Sequence, residues 1–309
     1  MVLIVSNRHL ISLIMFAGSV IALSCSSRQT DDTERNSIEL QPPIAHEDLD
    51  ATLWMQTSGE YLALSEQAYR LAQDRLIVAL RDSSWSADIG QQQRLDASRA
   101  GEPLPPAVIL DVDETVLDNS PYQARLIKNN GSYDVKTWQA WVEQAHAKAV
   151  PGAKEFIDFA RDAGVTVFFI TNRETAVERA TRRNLELVGI EQPGSDDNIL
   201  SKHERDLWTS DKTTRRTYVA DRYRVLLLIG DDLNDFVGIG FKPTAEQRRE
   251  LVEQNRHKWG DKWIVLPNAN YGGWERALFE WDDAAPAEKK LRKKHGHLDL
   301  APPAEKKTL

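Results

Sequence analysis

Short, mostly apolar runs alternate with amphipathic segments through the middle of the chain. The runs occupy residues 107–110, 165–170, 224–229 and 263–266, and turn or polar residues bound each of them. Runs of this kind predict strands that are buried on both faces of a parallel sheet. Residues 135–149, 152–163 and 175–188 carry apolar side chains at helical spacing. The alternation predicts an α/β fold, a parallel sheet with right-handed crossovers and helices on its faces.

The flanking regions have a different pattern. Residues 46–81 place apolar side chains mostly three, four or seven apart, which predicts an amphipathic helix within a smaller helical lobe at 46–100. The α/β core is then predicted at 101–283, with a possible short strand near residues 199–200. Residues 284–309 are rich in Lys, Glu, Ala and Pro and predict a charged, solvated or frayed tail.

The first 25 residues have the proportions of a secretory signal. Residues 10–23 are apolar and follow Arg8, but they are too short for a confident membrane span. Cys25 is the only cysteine, so it has no partner for an internal disulfide, and its position after Ala22-Leu23-Ser24 resembles the bacterial lipobox. We expect a lipoprotein signal at 1–25, a flexible polar tether at 26–45, and an exported protein attached to its membrane by lipid alone. A plain cleaved signal and a membrane anchor are the alternatives.

Composition and charge limit the kinds of ligand that the protein is expected to bind. The 309 residues are 41% hydrophobic and carry a net charge of −8, which argues against binding a nucleic acid polymer over a broad surface. A small phosphorylated ligand needs only a local basic residue and a metal. Neither a GxxxxGK[ST] phosphate loop nor a GxSxG serine elbow occurs.

Chemically active side chains follow three of the predicted strands. They are Asp111 and Asp113 after the first, Thr171 and Asn172 after the second, and Asp231 and Asp235 after the third, with Lys212 shortly before the third. Because ligands of parallel sheets gather beyond the carboxyl ends of the strands, we expect these groups to share one crevice. Carboxylates with one lysine suit oxygen-ligated Mg²⁺, whereas a soft metal is disfavoured because the single cysteine is remote and no close HxxxH pair occurs.

These groups predict phosphoryl transfer. We expect Asp111 to attack phosphorus and form an aspartyl-phosphate, and Asp113 to protonate the leaving alkoxide and then deprotonate water. Thr171 and Lys212 would bind the phosphate. Asp231 is expected to ligate the metal, with Asp235 supporting a ligand. Taken singly, the same residues also suit helix caps, turns or a solvated lysine.

The motifs, taken together, resemble a known family. DxDxT, a strand-end Thr, a Lys and GDxxxD in this order are similar to the haloacid dehalogenase (HAD) superfamily of phosphotransferases. LWMQTSGEY, LDVDETVLDNSPYQ, VFFITNRE, DKTTRR, GDDLNDF and LPNANYGGWE more closely resemble the class C acid phosphatases, bacterial outer-membrane lipoproteins. The resemblance covers roughly residues 53–278.

The resemblance implies a Rossmann-like HAD core with a helical lobe and a Mg²⁺-dependent acid phosphatase that acts on nucleoside 5′-monophosphates or related phosphomonoesters. It implies that Asp111 is the nucleophile, that Asp113 is the acid/base and ligates the metal through its carbonyl, and that Asp231 is the metal carboxylate. By the same resemblance Thr171, Asn172 and Lys212 bind phosphate, Tyr271 stacks on a base, and Lys202 is a minor rival to Lys212. A phosphotransferase or C-halogen hydrolase on the same core, and a surface-binding lipoprotein without turnover, are the alternatives.

Overall fold

The computed structural model describes residues 45–97, 104–190, 197–238, 240 and 242–301. The predicted signal, its lipidation residue Cys25, and residues 26–44 of the predicted tether lie outside the described residues, as do residues 302–309. Within the described part of the chain, no helix combines the length and the apolar character needed to cross a membrane.

A five-stranded parallel sheet forms the centre of the fold, as the apolar runs predict. Its strands are β1 (Pro106–Leu110), β4 (Thr166–Glu174), β5 (Ile199–Lys202), β6 (Arg224–Gly230) and β7 (Trp263–Val265), and the order is β5-β4-β1-β6-β7. A two-stranded antiparallel ribbon joins β2 (Leu117–Asp118) to β3 (Lys148–Ala149). The weakly predicted strand near residue 199 is therefore real, and it lies at one edge of the sheet.

Helices flank the sheet, and the described part of the chain contains eleven α-helices. They are α1 (Leu49–Thr57), α2 (Gly59–Arg81), α3 (Ile89–Ala97), α4 (Ser120–Lys128), α5 (Val135–Gln144), α6 (Ala153–Asp162), α7 (Glu178–Leu187), α8 (Thr213–Ala220), α9 (Ala245–Gln254), α10 (Gly273–Leu278) and α11 (Ala287–His295). Alternate residues of β1 point to opposite faces. Val108 and Leu110 belong to one apolar cluster, and Ala107 and Ile109 belong to the other.

The predicted helix over residues 46–81 is two helices. The chain leaves helical geometry at Ser58, whose hydroxyl accepts a hydrogen bond from the Tyr61 backbone N–H at 3.0 Å and caps α2. An N-cap serine satisfies one of the donors that a helix start leaves free, so it favours a new start over a continuous helix. Trp54 and Tyr61 pack edge to face across the break.

In two other segments the observed secondary structure differs from the predicted one. The helix predicted over 135–149 ends at Gln144, the next residue, Ala145, has a left-handed φ of 53°, and the chain then forms β3. Within the predicted charged tail, residues Ala287–His295 form α11. That helix buries none of its side chains and is tied to the protein by ion pairs, including those of Lys294.

Candidate active site

The site lies at the carboxyl ends of the strands, at the point where the order in which strands are added to the sheet changes sides. From β1 the chain adds β4 and β5 on one side, then returns to add β6 and β7 on the other. Crevices beside such a switch point are the usual ligand sites of open α/β sheets. The strand order therefore makes β4, β1 and β6 neighbours and brings their terminal residues to one place.

A buried lysine joins two carboxylates at the bottom of this crevice. Lys212, the residue before α8, donates hydrogen bonds to the carboxylates of Asp111 and Asp235, the second at 2.6 Å. All three side chains are almost completely buried. Ion pairs of this kind are costly to desolvate and need further polar partners. Lys202, the other candidate, instead contacts Glu174 at 2.9 Å.

Asp231 completes a cluster of three carboxylates. Each of Asp111, Asp231 and Asp235 has a carboxylate oxygen within 4.8 Å of the other two. Asp231 accepts hydrogen bonds from Asn268 Nδ2 at 2.8 Å and from Thr115 Oγ1 at 3.3 Å. One lysine leaves this cluster with excess negative charge. A hard divalent cation with oxygen ligands matches the donor set.

Burial and the charges within the cluster together shift the pKa values of its members. Burial raises the pKa of Asp111 to about 7, and the attraction of Lys212 does not offset it. Burial, followed by repulsion from Asp111 and Asp235, raises the pKa of Asp231 well above its ordinary value. Burial alone would lower the pKa of Lys212, but the charges of Asp111 and Asp235 outweigh it and raise that pKa, so the lysine is the firmly charged member.

Asp113 contacts a different cation. Its Oδ1 atom accepts hydrogen bonds from Arg173 Nε at 2.9 Å and from Asn119 Nδ2 at 2.9 Å. Its Oδ2 atom accepts a long hydrogen bond from the Thr171 hydroxyl, at 3.5 Å. The two aspartates of the DxD pair are therefore close, but each has its own set of partners.

The predicted phosphate binders have unequal surroundings. β4 runs on to Glu174, so Thr171 and Asn172 lie within the end of a strand and not in a loop after it. The Thr171 hydroxyl also accepts a hydrogen bond from the Arg173 backbone N–H at 3.0 Å. The Asn172 amide is instead engaged by Ser210 O at 3.1 Å and by Arg215 at 2.7 Å. Among the described hydrogen bonds of the pair, that of the Thr171 hydroxyl to Asp113 reaches an aspartate of the DxD motif.

Tyr271 reaches the site through its hydroxyl. It follows β7 and donates a hydrogen bond to the carboxylate of Glu114, which is completely buried. Glu114 also accepts from the Asn119 backbone N–H at 2.7 Å. Burial, followed by repulsion from Asp113, raises the pKa of Glu114 to about 8. This contact fixes the position of the tyrosine ring.

Several residues of the site were not predicted from the sequence. They are Glu114, Asn119, Arg173, Arg215 and Asn268, whereas Thr115 is the threonine of the DxDxT motif. Arg173 stands in the quoted motif VFFITNRE directly after Asn172, and Asn119 stands in the quoted motif LDVDETVLDNSPYQ six residues after Asp113. Their place in these motifs was therefore the available signal. Nothing in the spacing of Glu114 or Asn268 distinguishes them from turn residues.

Comparison with known proteins identifies the family. Residues 12–274 match the family model described as HAD superfamily, subfamily IIIB (acid phosphatase). The chain therefore belongs to this acid phosphatase family of the HAD superfamily, and the predicted fold class is confirmed.

Solved structures narrow the resemblance to class C. The chain is 34% identical to the class C acid phosphatase from Bacillus anthracis, with a TM-score of 0.69, and the match covers 82% of this chain and 98% of that one. A second structure of the same enzyme, with tungstate bound, gives 33% identity, a TM-score of 0.70 and the same coverage. The predicted resemblance to class C acid phosphatases is thus confirmed.

A curated relative matches over a shorter region. Acid phosphatase 1 of Solanum lycopersicum is 26% identical over 176 residues, which are 55% of this chain. The chain spans 63% of the length of that relative.

Proposed function

We propose that this protein is a Mg²⁺-dependent acid phosphatase that hydrolyses phosphomonoesters through an aspartyl-phosphate on Asp111. The observation that carries the proposal is the buried contact of Lys212 with Asp111, next to the carboxylate of Asp231. A nucleophile, a cation for the transferring group and a metal ligand thereby meet at one point. Membership of an acid phosphatase family and the tungstate-bound relative support the same chemistry.

The reaction has two displacements. Asp111 attacks phosphorus as the ester P–O bond breaks, and Asp113 gives its proton to the departing alkoxide oxygen. A water then attacks phosphorus and gives a proton to Asp113 as the P–O bond to Asp111 breaks. Phosphate is released, and the Asp111 carboxylate is restored. Lys212 and the Thr171 hydroxyl bind the phosphoryl oxygens throughout.

The metal would be held by Asp111, by Asp231 and by the carbonyl of Asp113. When bound, Mg²⁺ would neutralise charge on the phosphoryl oxygens. Asp235, which we expect to support the ligands, shares its carboxylate between Lys212 and the Asp232 backbone N–H. Those two contacts favour a supporting role.

One assay tests the proposal. Phosphate release from nucleoside 5′-monophosphates and sugar phosphates is measured with Mg²⁺ and with a chelator, for the wild type, Asp111→Asn and Asp113→Asn. The proposal requires chelator-sensitive release and near-complete loss in both variants. Unchanged release by Asp111→Asn would refute the nucleophile. Appearance of the phosphate on an added alcohol in place of water would favour the phosphotransferase alternative, and binding without release would favour the non-catalytic lipoprotein.

We further propose nucleoside 5′-monophosphates as substrates, with the Tyr271 ring stacking on the base. Stacking of a base on an aromatic ring is worth roughly 1–3 kcal/mol, so Tyr271→Ala should lower kcat/KM for nucleotides by about tenfold or more relative to sugar phosphates. Tyr271→Phe keeps the ring and loses only the bond to Glu114, and should retain the nucleotide preference. An equal loss on both substrate classes in Tyr271→Ala would remove the stacking role.

Export remains a prediction from the sequence. We propose that Cys25 carries a lipid that anchors the mature chain to the bacterial outer membrane. Fractionation of cells that express the wild type or Cys25→Ser tests this. The wild type should sediment with membranes and the variant should not.

A further inference from the structure

The Asp113 carboxylate is held by an array of side chains that the proposed chemistry does not itself require. Arg173 is 1% exposed in its side chain, and both Nε and Nη2 lie within 2.9 Å of Asp113 Oδ1. Its third nitrogen, Nη1, donates to Thr181 Oγ1 at 3.1 Å. The guanidinium also lies 5.7 Å from the centre of the Trp138 ring. A guanidinium whose three nitrogens are all engaged has little freedom to rotate.

Asn119 holds the same oxygen from a second direction. Its Oδ1 atom accepts from Trp141 Nε1 at 2.8 Å and from Arg173 Nη2 at 3.3 Å. Because Trp141 Nε1 and Arg173 Nη2 are both donors, the atom that faces them must be the amide oxygen. The amide nitrogen, Nδ2, then lies on the other side, where its hydrogens can be donated. One of them reaches Asp113 Oδ1 at 2.9 Å. Trp141 is buried, and its single N–H donates to Asn119, so its polar influence on Asp113 passes through the asparagine.

The two oxygens of Asp113 are consequently unlike. Oδ1 is contacted by Nε and Nη2 of Arg173 and by Nδ2 of Asn119. Among the described residues, the hydrogen-bond partner of Oδ2 is the Thr171 hydroxyl, at 3.5 Å. A carboxylate that transfers a proton needs one oxygen available to substrate and a fixed direction for it. By this geometry Oδ2 is the oxygen of Asp113 with fewer protein donors.

We propose that Arg173 and Asn119 are positioning residues that fix the Asp113 carboxylate so that Oδ2 faces the leaving-group oxygen. This inference rests on the proposed function, in which Asp113 is the acid and then the base. Neither residue needs to touch substrate. Loss of the arginine should therefore impair protonation of the leaving group more than it impairs attack by Asp111.

Two substrates separate those effects. An alkyl phosphate needs a proton on its leaving alkoxide, whereas p-nitrophenolate departs without one. The measured quantity is kcat/KM, which reports the steps up to release of the leaving group. In Arg173→Met we expect kcat/KM for an alkyl phosphate to fall by about 10²-fold, the usual contribution of general acid catalysis, and kcat/KM for p-nitrophenyl phosphate to change by only about threefold. Arg173→Lys retains the charge without the planar fork and should recover only part of the alkyl activity.

Controls separate positioning from folding. Arg224→Met removes another part-buried arginine, at the opposite end of β6, where Nη1 contacts the carbonyls of Ala79 and Asp82. It should leave the ratio of the two substrates unchanged. The Mg²⁺-induced rise in melting temperature should persist in Arg173→Met. If Arg173→Met does not fold, Trp141→Phe decides, because it removes a donor to Asn119 and should reduce the alkyl reaction selectively by a few-fold.

The outcomes are distinct. A wild type that hydrolyses neither ester would refute the proposed function itself. An active wild type whose folded Arg173→Met variant, or failing that Trp141→Phe, loses both substrates equally or neither would overturn the positioning role alone.

Discussion

Two lysines of this protein each contact two carboxylates, and the two sites differ in burial. Lys212, with Asp111 and Asp235, has a side chain 6% exposed, and its partners are 8% and 5% exposed. Lys294 contacts Glu47 at 2.8 Å and Glu275 at 2.6 Å, with a side chain 17% exposed and partners 39% and 20% exposed. Surface pairs contribute about 0–1 kcal/mol, whereas removing one partner of a buried pair costs about 3–5 kcal/mol.

This difference in burial distinguishes the candidate active site around Lys212 from the ion pairs of Lys294. Lys294 joins α11 to α10 and to the residues before α1, so its role is to hold chain segments together. The Lys212 cluster lies at the ends of β1 and β6, where hydrophobic residues would pack at lower cost. Charges retained at such a position are expected where they take part in a reaction.

The largest effect is expected for Asp111→Asn. This change removes the proposed nucleophile and should lower kcat for phosphate release by at least about 10³-fold. It also removes one charge from the carboxylate cluster, so the melting temperature should not fall by more than a few degrees. A folded variant with more than a tenth of the wild-type rate would contradict the assignment.

Lys212→Met should reduce both activity and stability. Loss of a cation on the transferring group is expected to lower kcat by about 10²–10³-fold. Without the lysine the buried carboxylates lack their counter-charge, so the free energy of unfolding at neutral pH should decrease by about 3 kcal/mol. Denaturant unfolding with and without Mg²⁺ measures this, and Mg²⁺ should restore part of the loss. A variant as stable as the wild type would show that Lys212 does not balance the cluster.

Metal binding should be visible as stability. A ligand at 100 times its dissociation constant stabilises the folded state by about 2.7 kcal/mol. We expect Mg²⁺ to raise the melting temperature of the wild type, and chelator to reverse the rise. Asp231→Asn should weaken the response, while Glu275→Gln, at the other lysine, should leave it intact. An equal response in Asp231→Asn and the wild type would place the ion elsewhere.

The smallest effect is expected for Lys294→Met, with unchanged kcat and a loss of about 0.5–1 kcal/mol at neutral pH. Burial raises the pKa of Glu275, although Lys294 opposes the rise. A raised carboxyl pKa in the folded state favours folding at low pH, and that contribution is lost as pH increases through the folded pKa. Removing the lysine raises the pKa of Glu275 further, so the destabilisation should shrink as pH falls toward 4. Denaturant titrations at several pH values test this, and a loss that grew on acidification would contradict it.

The sequence predicts the sheet and the strand-end residues because both have local signals. Apolar runs mark the strands, and Asp111, Thr171 and Asp231 follow them directly or within a residue. The edge strand β5 carries a weaker signal because it is short and its polar surroundings obscure it. Parallel pairing then brings distant segments together without further information from those segments.

No local feature of the sequence indicates which side chains of the site contact each other. Asp111 and Asp113 are two residues apart, but one contacts Lys212 and the other Arg173, which lie 101 and 60 positions away in sequence. Those contacts depend on side-chain geometry across three strands. Ser58 shows the same limit at small scale, since its capping bond interrupts an apolar periodicity that reads as one helix.

The most direct test of the account is the stereochemistry at phosphorus. A phosphorothioate ester made chiral at phosphorus by sulfur and two oxygen isotopes is hydrolysed in water labelled with the third oxygen isotope, and the configuration of the released thiophosphate is determined. Two successive in-line displacements, the first by Asp111 and the second by water, predict retention of configuration. Inversion would mean that water attacks the ester directly, and it would contradict a covalent role for Asp111.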